Sequence, residues 1–328
     1  MTTVFQFPGQ GSVFPSMGID LAASWEAAAE VYDIALRVTG QDLLALAGSA
    51  SRERLAETEA THLLTFAHSL AVHRVLQTAG IAPDLFVGHS LGHVAALAAA
   101  SVLTLEEGFT LIGLRGRLLA GCCSRHPGGM LAVRGLGLAE IEAVLAPLRG
   151  DGALVVGAVN GRDEIVVSGD SGRIGDALRA LKARGGAATP LQVAGAFHSP
   201  RMVPAARELA AATRGMAFRD PVRPVVSTLS GVLLRTGEAV REDLCGHVLA
   251  PVRWDLALAT LTGQRVEQWI EVGPGKVLTG LARRFERSAA ASFTSTGTVL
   301  RALCARLAES EATSAPEPCA PEVAAAHG

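Results

Sequence analysis

Gly88-His89-Ser90-Leu91-Gly92 is the stretch of this sequence best suited to covalent chemistry. It fits G-x-S-x-G, in which a tight strand-to-helix turn stands a serine hydroxyl at the N-terminus of the following helix. The glycines are needed because a Cβ would collide in so sharp a bend. A serine there can also do nothing more than cap a helix. The flanks favour a nucleophile, since apolar Leu85-Phe86-Val87 reads as a strand and a small-residue helix follows from His93. A nucleophilic hydroxyl then needs a base, and donors for the oxyanion formed at the attacked carbonyl. Nine histidines are available. His89 and His93 are held in the turn or on its helix, His62, His68 and His73 share one helical pattern where packing is the usual fate, and His126 and His327 fall in loop or tail. His198, in Gly195-Ala196-Phe197-His198-Ser199-Pro200, follows a strand and precedes a helix, where a loop residue can reach across a cleft. Local pattern alone leaves its role open.

The elements that must position these groups alternate strand and helix, which predicts an α/β fold. A short apolar strand at 4–7 runs into the turn-rich Pro8-Gly9-Gln10-Gly11-Ser12, a loop able to present backbone N–H groups. Helical patterns cover 21–39, 51–57 and 62–79, then 93–100 and 105–120 around the serine turn. From 128 the order becomes strand, helix, strand, strand, helix, strand, the path of a ferredoxin-like unit. Residues 128–196 therefore read as a small subdomain inserted into a larger one made of 1–127 and 197–309. The Ala, Pro and Glu content of 310–328, without periodicity, predicts a disordered tail.

Composition excludes several function classes. In 328 residues, 29 basic and 31 acidic groups nearly balance, so no nucleic-acid surface is expected. The five cysteines are odd in number and lack the paired short spacing of a zinc site, so no metal is expected. The start has no basic segment followed by a long apolar one, and the Ala-rich stretch at 94–103 is too short to span a bilayer. A soluble, cytoplasmic protein without membrane contact is the expectation.

Seven segments then fall into a recognisable order: Phe7-Pro-Gly-Gln-Gly-Ser12, Gly88-His-Ser-Leu-Gly92, Leu114-Arg-Gly-Arg117, Asn160, Ala196-Phe-His198, Pro251-Val-Arg-Trp254 and Glu271-Val-Gly-Pro-Gly-Lys276. The set resembles the malonyl-CoA:acyl carrier protein transacylases and the related polyketide synthase acyltransferases. The resemblance implies an α/β-hydrolase-like large subdomain with the ferredoxin-like insertion and an active site between them. It implies Ser90 as nucleophile, His198 as base, and the backbone N–H groups of Gln10 and Leu91 as oxyanion donors. A backbone carbonyl, matched to His247, would orient the base in place of a triad carboxylate. Arg115, on pattern alone a solvated helix-face residue, would fork onto the free carboxylate of a malonyl group, a bidentate task that lysine performs poorly. Phe197, His62 and Asn160 would contact substrate. The implied activity is transfer of malonyl from coenzyme A to an acyl carrier protein thiol, in fatty acid or polyketide biosynthesis, with acyl-CoA as substrate and no cofactor. Phenylalanine in Ala-Phe-His resembles the malonyl-selective type. Lys276, Arg283, Arg284 and Arg287, on one predicted helix, are candidates for docking an acidic carrier protein, or else a solvated basic face.

Val13, His62, His93 and Ala250 depart from the family's usual glutamine, glutamine, glutamate and asparagine. Several lie near the acyl pocket, so a different acyl unit, possibly carrier-bound, stays open. A serine thioesterase or acyl hydrolase would use the same elbow, but hydrolases of that fold place histidine near the C-terminus. An idle docking module for carrier proteins would not need Ser90, His198 and Gln10.

Overall fold

The structure is a computed structural model that describes residues 2–150, 153–288 and 290–314. Its strands in chain order are β1 (Thr3–Phe7), β2 (Leu85–Gly88), β3 (Gly128–Arg134), β4 (Leu154–Gly161), β5 (Glu164–Asp170), β6 (Ala187–Pro190), β7 (Val225–Val226), β8 (Leu233–Leu234), β9 (Val252–Arg253), β10 (Gln268–Glu271) and β11 (Ala290–Phe293). Six form one sheet in the order β11-β10-β1-β2-β7-β8, parallel except for β8. Every residue of β1, β2 and β10 is buried, as a parallel sheet covered by helices on both faces requires. The helix Gly92–Ala99 packs on β1 and β2, and Thr58–Thr78 sets His73 against Phe5, Phe7 and Phe86 of those strands. The C-terminal ends of β1, β2 and β10 open at one edge, the usual place for a ligand crevice in such sheets.

The second sheet has the order β6-β3-β5-β4-β9. Its first four strands are antiparallel and alternate with the helices Leu138–Leu145 and Ser171–Ala183, the β-α-β-β-α-β path expected from the sequence. Period-two alternation divides its side chains. Leu131, Val133, Val159, Ile165 and Val167 fill a separate small core against those helices. Met130, Ala132, Ala158, Asn160 and Val166 face the other way and line a cleft against the large sheet. The two-residue β9, from the chain segment assigned to the larger subdomain, pairs in parallel with β4 and ties the two sheets together.

The last helix, Gly297–Ser314, is anchored by buried Leu300 and Leu303 and by the Gly297 N–H on Asp20 at 2.6 Å. Its bounds reach Ser314, inside the 310–328 segment expected to be a tail. Residues 315–328, the remainder of that segment, lie outside the described residues.

His68 and His73 are enclosed in the large core, His73 edge-on to Phe5, Phe7 and Phe86. Burial, ahead of any charge, pulls each imidazole down to about 4. Their unfolded counterparts titrate near ~6.5. Below that pH the unfolded chain binds protons that the folded chain refuses, so the stability present above it falls as pH drops toward 4. The melting temperature should therefore be lower at pH 5 than at pH 7, and His68→Gln/His73→Gln should narrow the gap. Identical melting at both pH values in the unsubstituted chain would contradict neutral burial.

Candidate active site

Ser90 takes φ 51°, a left-handed conformation forced by the turn from β2 into the helix Gly92–Ala99. Both flanking glycines are sterically required. A Cβ on Gly88 would lie 2.2 Å from the Gly92 carbonyl oxygen, and one on Gly92 would lie 2.2 Å from that of Phe7. The turn thus packs directly on the end of β1, which brings the Pro8–Ser12 loop beside Ser90 in the same cleft. Among the described residues the N–H groups of Gln10 and Leu91 donate to no other group.

His198 approaches from the opposite wall, also left-handed at φ 56°. Its Nε2 lies 2.8 Å from Ser90 Oγ and its Nδ1 lies 3.0 Å from the Ala250 carbonyl oxygen. The carbonyl can only accept, so Nδ1 carries the proton and Nε2 presents a lone pair to the hydroxyl. The nearest acceptor is Ala250, three residues beyond the His247 expected from the sequence. The chain after the helix Gly237–Gly246 makes one further turn, with the Leu249 and Ala250 N–H groups on the Gly246 carbonyl, and this carries Ala250 to Nδ1. The His247 carbonyl adds a weaker pull in the same sense. Burial first, then the charge of Arg115, then His89, bring His198 down to about 3. It is a neutral base across the physiological range.

Arg115 reaches the site from the helix Leu105–Arg125 and is 5% exposed. Its Nη2 donates to Ser90 Oγ at 3.2 Å and its Nη1 donates to His62 Nε2. His62 in turn donates from Nδ1 to the Thr58 carbonyl at 2.6 Å, which fixes the tautomer that accepts from arginine. Burial lowers Arg115 to about 10, so it stays charged at neutral pH. No carboxylate pairs with it among the described residues, an expensive arrangement for a buried cation unless a ligand supplies the anion.

These groups share a cleft of about 260 Å³ with Phe197 and Asn160. Asn160 donates to Glu164 and its Oδ1 faces His89 Nε2, each at 2.9 Å. His89 is the lining residue that sequence reasoning set aside. It sits beside Ser90 yet turns to Asn160 on the small sheet and against Trp254, a cross-subdomain contact with no local signal. Behind the loop, Glu271 accepts from the Leu278 and Thr279 N–H groups at the start of the helix Val277–Phe285, which holds the Val-Gly-Pro-Gly segment in place. A Cβ on Gly273 there would meet Ser69 Oγ at 2.4 Å and Pro8 at 2.8 Å, so this motif wedges the Pro8 loop toward the serine. The basic set at this rim divides. Lys276 and Arg287 are exposed and make no ion pair among the described residues, Arg283 donates to the Ala291 carbonyl at 2.7 Å, and Arg284, also exposed, pairs with Glu164 at 3.2 Å.

A family model for the acyl transferase domain matches residues 4–310. The chain belongs to the acyl transferase family. This acyl transferase is 34% identical over 290 residues to the malonyl CoA-acyl carrier protein transacylase of Escherichia coli (strain K12), covering 88% of the chain and 94% of that protein. It is 36% identical over 295 residues to the spectinabilin polyketide synthase system protein NorB of Streptomyces orinoci, covering 85% of the chain and 13% of that longer protein. A chain of the complex PlMCAT:AntF (holo), a type II PKS acyl-carrier protein with its malonyl-transacylase, superposes with a TM-score of 0.89 at 32% identity, covering 93% of this acyl transferase and 100% of its own length.

The geometry makes Ser90 a target for serine-directed reagents. A fluorophosphonate should label the acyl transferase once, at Ser90, and His198→Ala should slow labelling at least about a hundredfold, the scale of a lost general base. With His198 near 3, the labelling rate should hold its value down to pH 5. A rate that collapses between pH 7 and 6 would show a base with an ordinary imidazole pKa.

Proposed function

We propose that this acyl transferase moves malonyl from coenzyme A, through an ester on Ser90, to the phosphopantetheine thiol of an acyl carrier protein, in fatty acid or polyketide biosynthesis. The observation that carries the substrate is Arg115, a buried cation without a carboxylate partner among the described residues, 3.2 Å from the nucleophilic oxygen. Malonyl is a short acyl group ending in a carboxylate, and the guanidinium fork meets such a group bidentately. His62 holds the fork from behind. The relatives' names point to the same acyl unit and the same acceptor.

In this reading the cleft lies between a large subdomain of 1–127 and 197–309 and a small one of 128–196. Ser90 Oγ attacks the thioester carbonyl carbon while His198 Nε2 takes its proton, and the Gln10 and Leu91 N–H groups hold the oxyanion. Collapse of the tetrahedral intermediate breaks the C–S bond, and the leaving coenzyme A thiolate takes the proton back from His198. The carrier's thiol then attacks the ester carbonyl, giving its proton to His198, and collapse returns that proton to Ser90 Oγ. Ala250 keeps the imidazole aimed throughout. A bound malonyl carboxylate also offsets the Arg115 charge that depresses His198, so the base strengthens as the correct substrate enters. The ring of Phe197 occupies the space an α-methyl branch needs. Lys276 and Arg287, with Arg283 beside them, offer positive charge to an acidic carrier at the rim.

Intact mass should show one malonyl added to the wild-type enzyme by malonyl-CoA and none to Ser90→Ala. Persistent acylation of Ser90→Ala would remove the central claim. Arg115→Ala should lower malonyl loading steeply and spare acetyl loading, while Phe197→Ser should narrow the preference over methylmalonyl, since one methyl group is worth only about 1–3 kcal/mol. A wild-type enzyme that loads an uncharged or larger acyl group faster than malonyl would overturn the substrate. Charge reversal at Lys276 and Arg287 should slow transfer to carrier, more so at low salt, and leave self-acylation unchanged. Unchanged transfer would place docking elsewhere.

A further inference from the structure

Three titratable side chains meet beneath the elbow, and the acyl transfer described above uses none of them. His93, the third residue after Ser90, stands on the helix Gly92–Ala99. His247 follows the helix Gly237–Gly246 and precedes Ala250 by three positions. Their rings lie face to face, with centroids 4.0 Å apart and planes within 9°. They are 0% and 2% exposed. Asp243, one turn before His247, places Oδ2 3.4 Å from His93 Nε2 and 3.7 Å from His247 Nε2, while its Oδ1 accepts from Ser227. Neither arginine nor lysine pairs with Asp243 among the described residues. His247 Nε2 also lies 3.0 Å from Thr228 Oγ1, which donates at 3.4 Å to the carbonyl of Gly88, the first residue of the elbow.

Two imidazoles and a carboxylate are also a donor set for a transition metal. The stack argues against that use. A ring nitrogen binds a metal along a lone pair in the ring plane, and two stacked rings so nearly parallel carry lone pairs that do not converge on one ion. What the arrangement does accomplish is mechanical. One imidazole belongs to the nucleophile's helix and the other to the turn that presents Ala250 to His198. The stack and the His247–Thr228 bridge join those two segments, and Asp243, tied to Ser227, packs beside both rings without a hydrogen bond to either. Among titratable and charged groups, His93 faces Asp243 and Arg115, and His247 faces His93, His198, Arg115 and His89.

We propose that His93, Asp243 and His247 are positioning residues that lock the helix of the nucleophile to the turn whose Ala250 carbonyl orients His198. The inference rests on the acyl-transfer reading of Ser90 and His198. Without the lock, Ala250 drifts from Nδ1 and the imidazole loses its aim at Ser90 Oγ. The carbonyl favours the protonated ring, so its loss moves the base toward still lower pH.

The test is single-turnover self-acylation by malonyl-CoA, followed by rapid quench and intact mass at pH 7, with melting temperature and metal content measured on each preparation. His247→Ala should lower the acylation rate constant about tenfold or more, the scale of a misaimed catalytic group, and change half-saturating malonyl-CoA less than about twofold, because Arg115 is untouched. His247→Gln, whose amide can still donate to Thr228, should restore most of the rate, and Asp243→Asn and His93→Ala should fall between. If His247→Ala does not fold, Thr228→Val carries the same expectation through the other end of the bridge. Wild-type rates in the folded variants would overturn the proposal. So would His247→Gln failing as badly as His247→Ala with both melting early, the mark of a purely structural role, or stoichiometric metal in the wild type. A wild type that never acylates would instead sink the acyl-transfer reading, leaving the two failures distinct.

Discussion

The structure turns on one hydrogen bond, 2.8 Å from Ser90 Oγ to His198 Nε2, made between two residues that both sit in left-handed backbone. Such conformations cost of order 1–3 kcal/mol each for residues other than glycine and persist only where the surroundings over-determine them. The surroundings here are visible. Gly88 and Gly92 let the elbow close on β1, Glu271 and Gly273 press the Pro8 loop from the other side, and Ala250 takes the far nitrogen of the imidazole. The large sheet and the turn before β9 supply the constraints that keep this bond short and aligned.

Charge shapes the rest of the cleft. Arg115 is the strongest field near the nucleophile, and His62, His198 and His89 are all held neutral by burial. A neutral His62 can accept from arginine, as the glutamine usual at that position in the family could, so this departure keeps the arginine's support and changes only the shape behind it. A neutral His198 can take a proton as soon as the hydroxyl begins to react. The same low-dielectric site that weakens a histidine as a base strengthens every hydrogen bond aimed at a developing oxyanion.

Much of this was legible in the sequence, for identifiable reasons. The elbow announces itself because steric demand forces glycine at fixed spacing. The α/β class and the β-α-β-β-α-β insertion follow from periodicities that a sheet and its helices must obey. Arg115 and His198 were found by motif, since neither helix-face spacing nor a loop position says which way a side chain turns. The contacts that escaped cross between segments distant in sequence: Ala250 as the acceptor, His89 on Asn160, Arg284 on Glu164, and the stack of His93 on His247. A backbone carbonyl carries no residue signature at all, which is why the segment could be named while the Ala250 carbonyl within it was not. The two-residue β9 was equally hidden, too short for any periodicity to declare itself.

That short strand makes the inserted sheet a party to the aim of the imidazole. β9 joins the inserted sheet to the chain of the large one, and Ala250 stands two residues before it. The carbonyl that His198 Nδ1 meets is therefore held in register by backbone pairing with β4, so the orientation of a ring that faces the large sheet's serine is set in part by the small sheet.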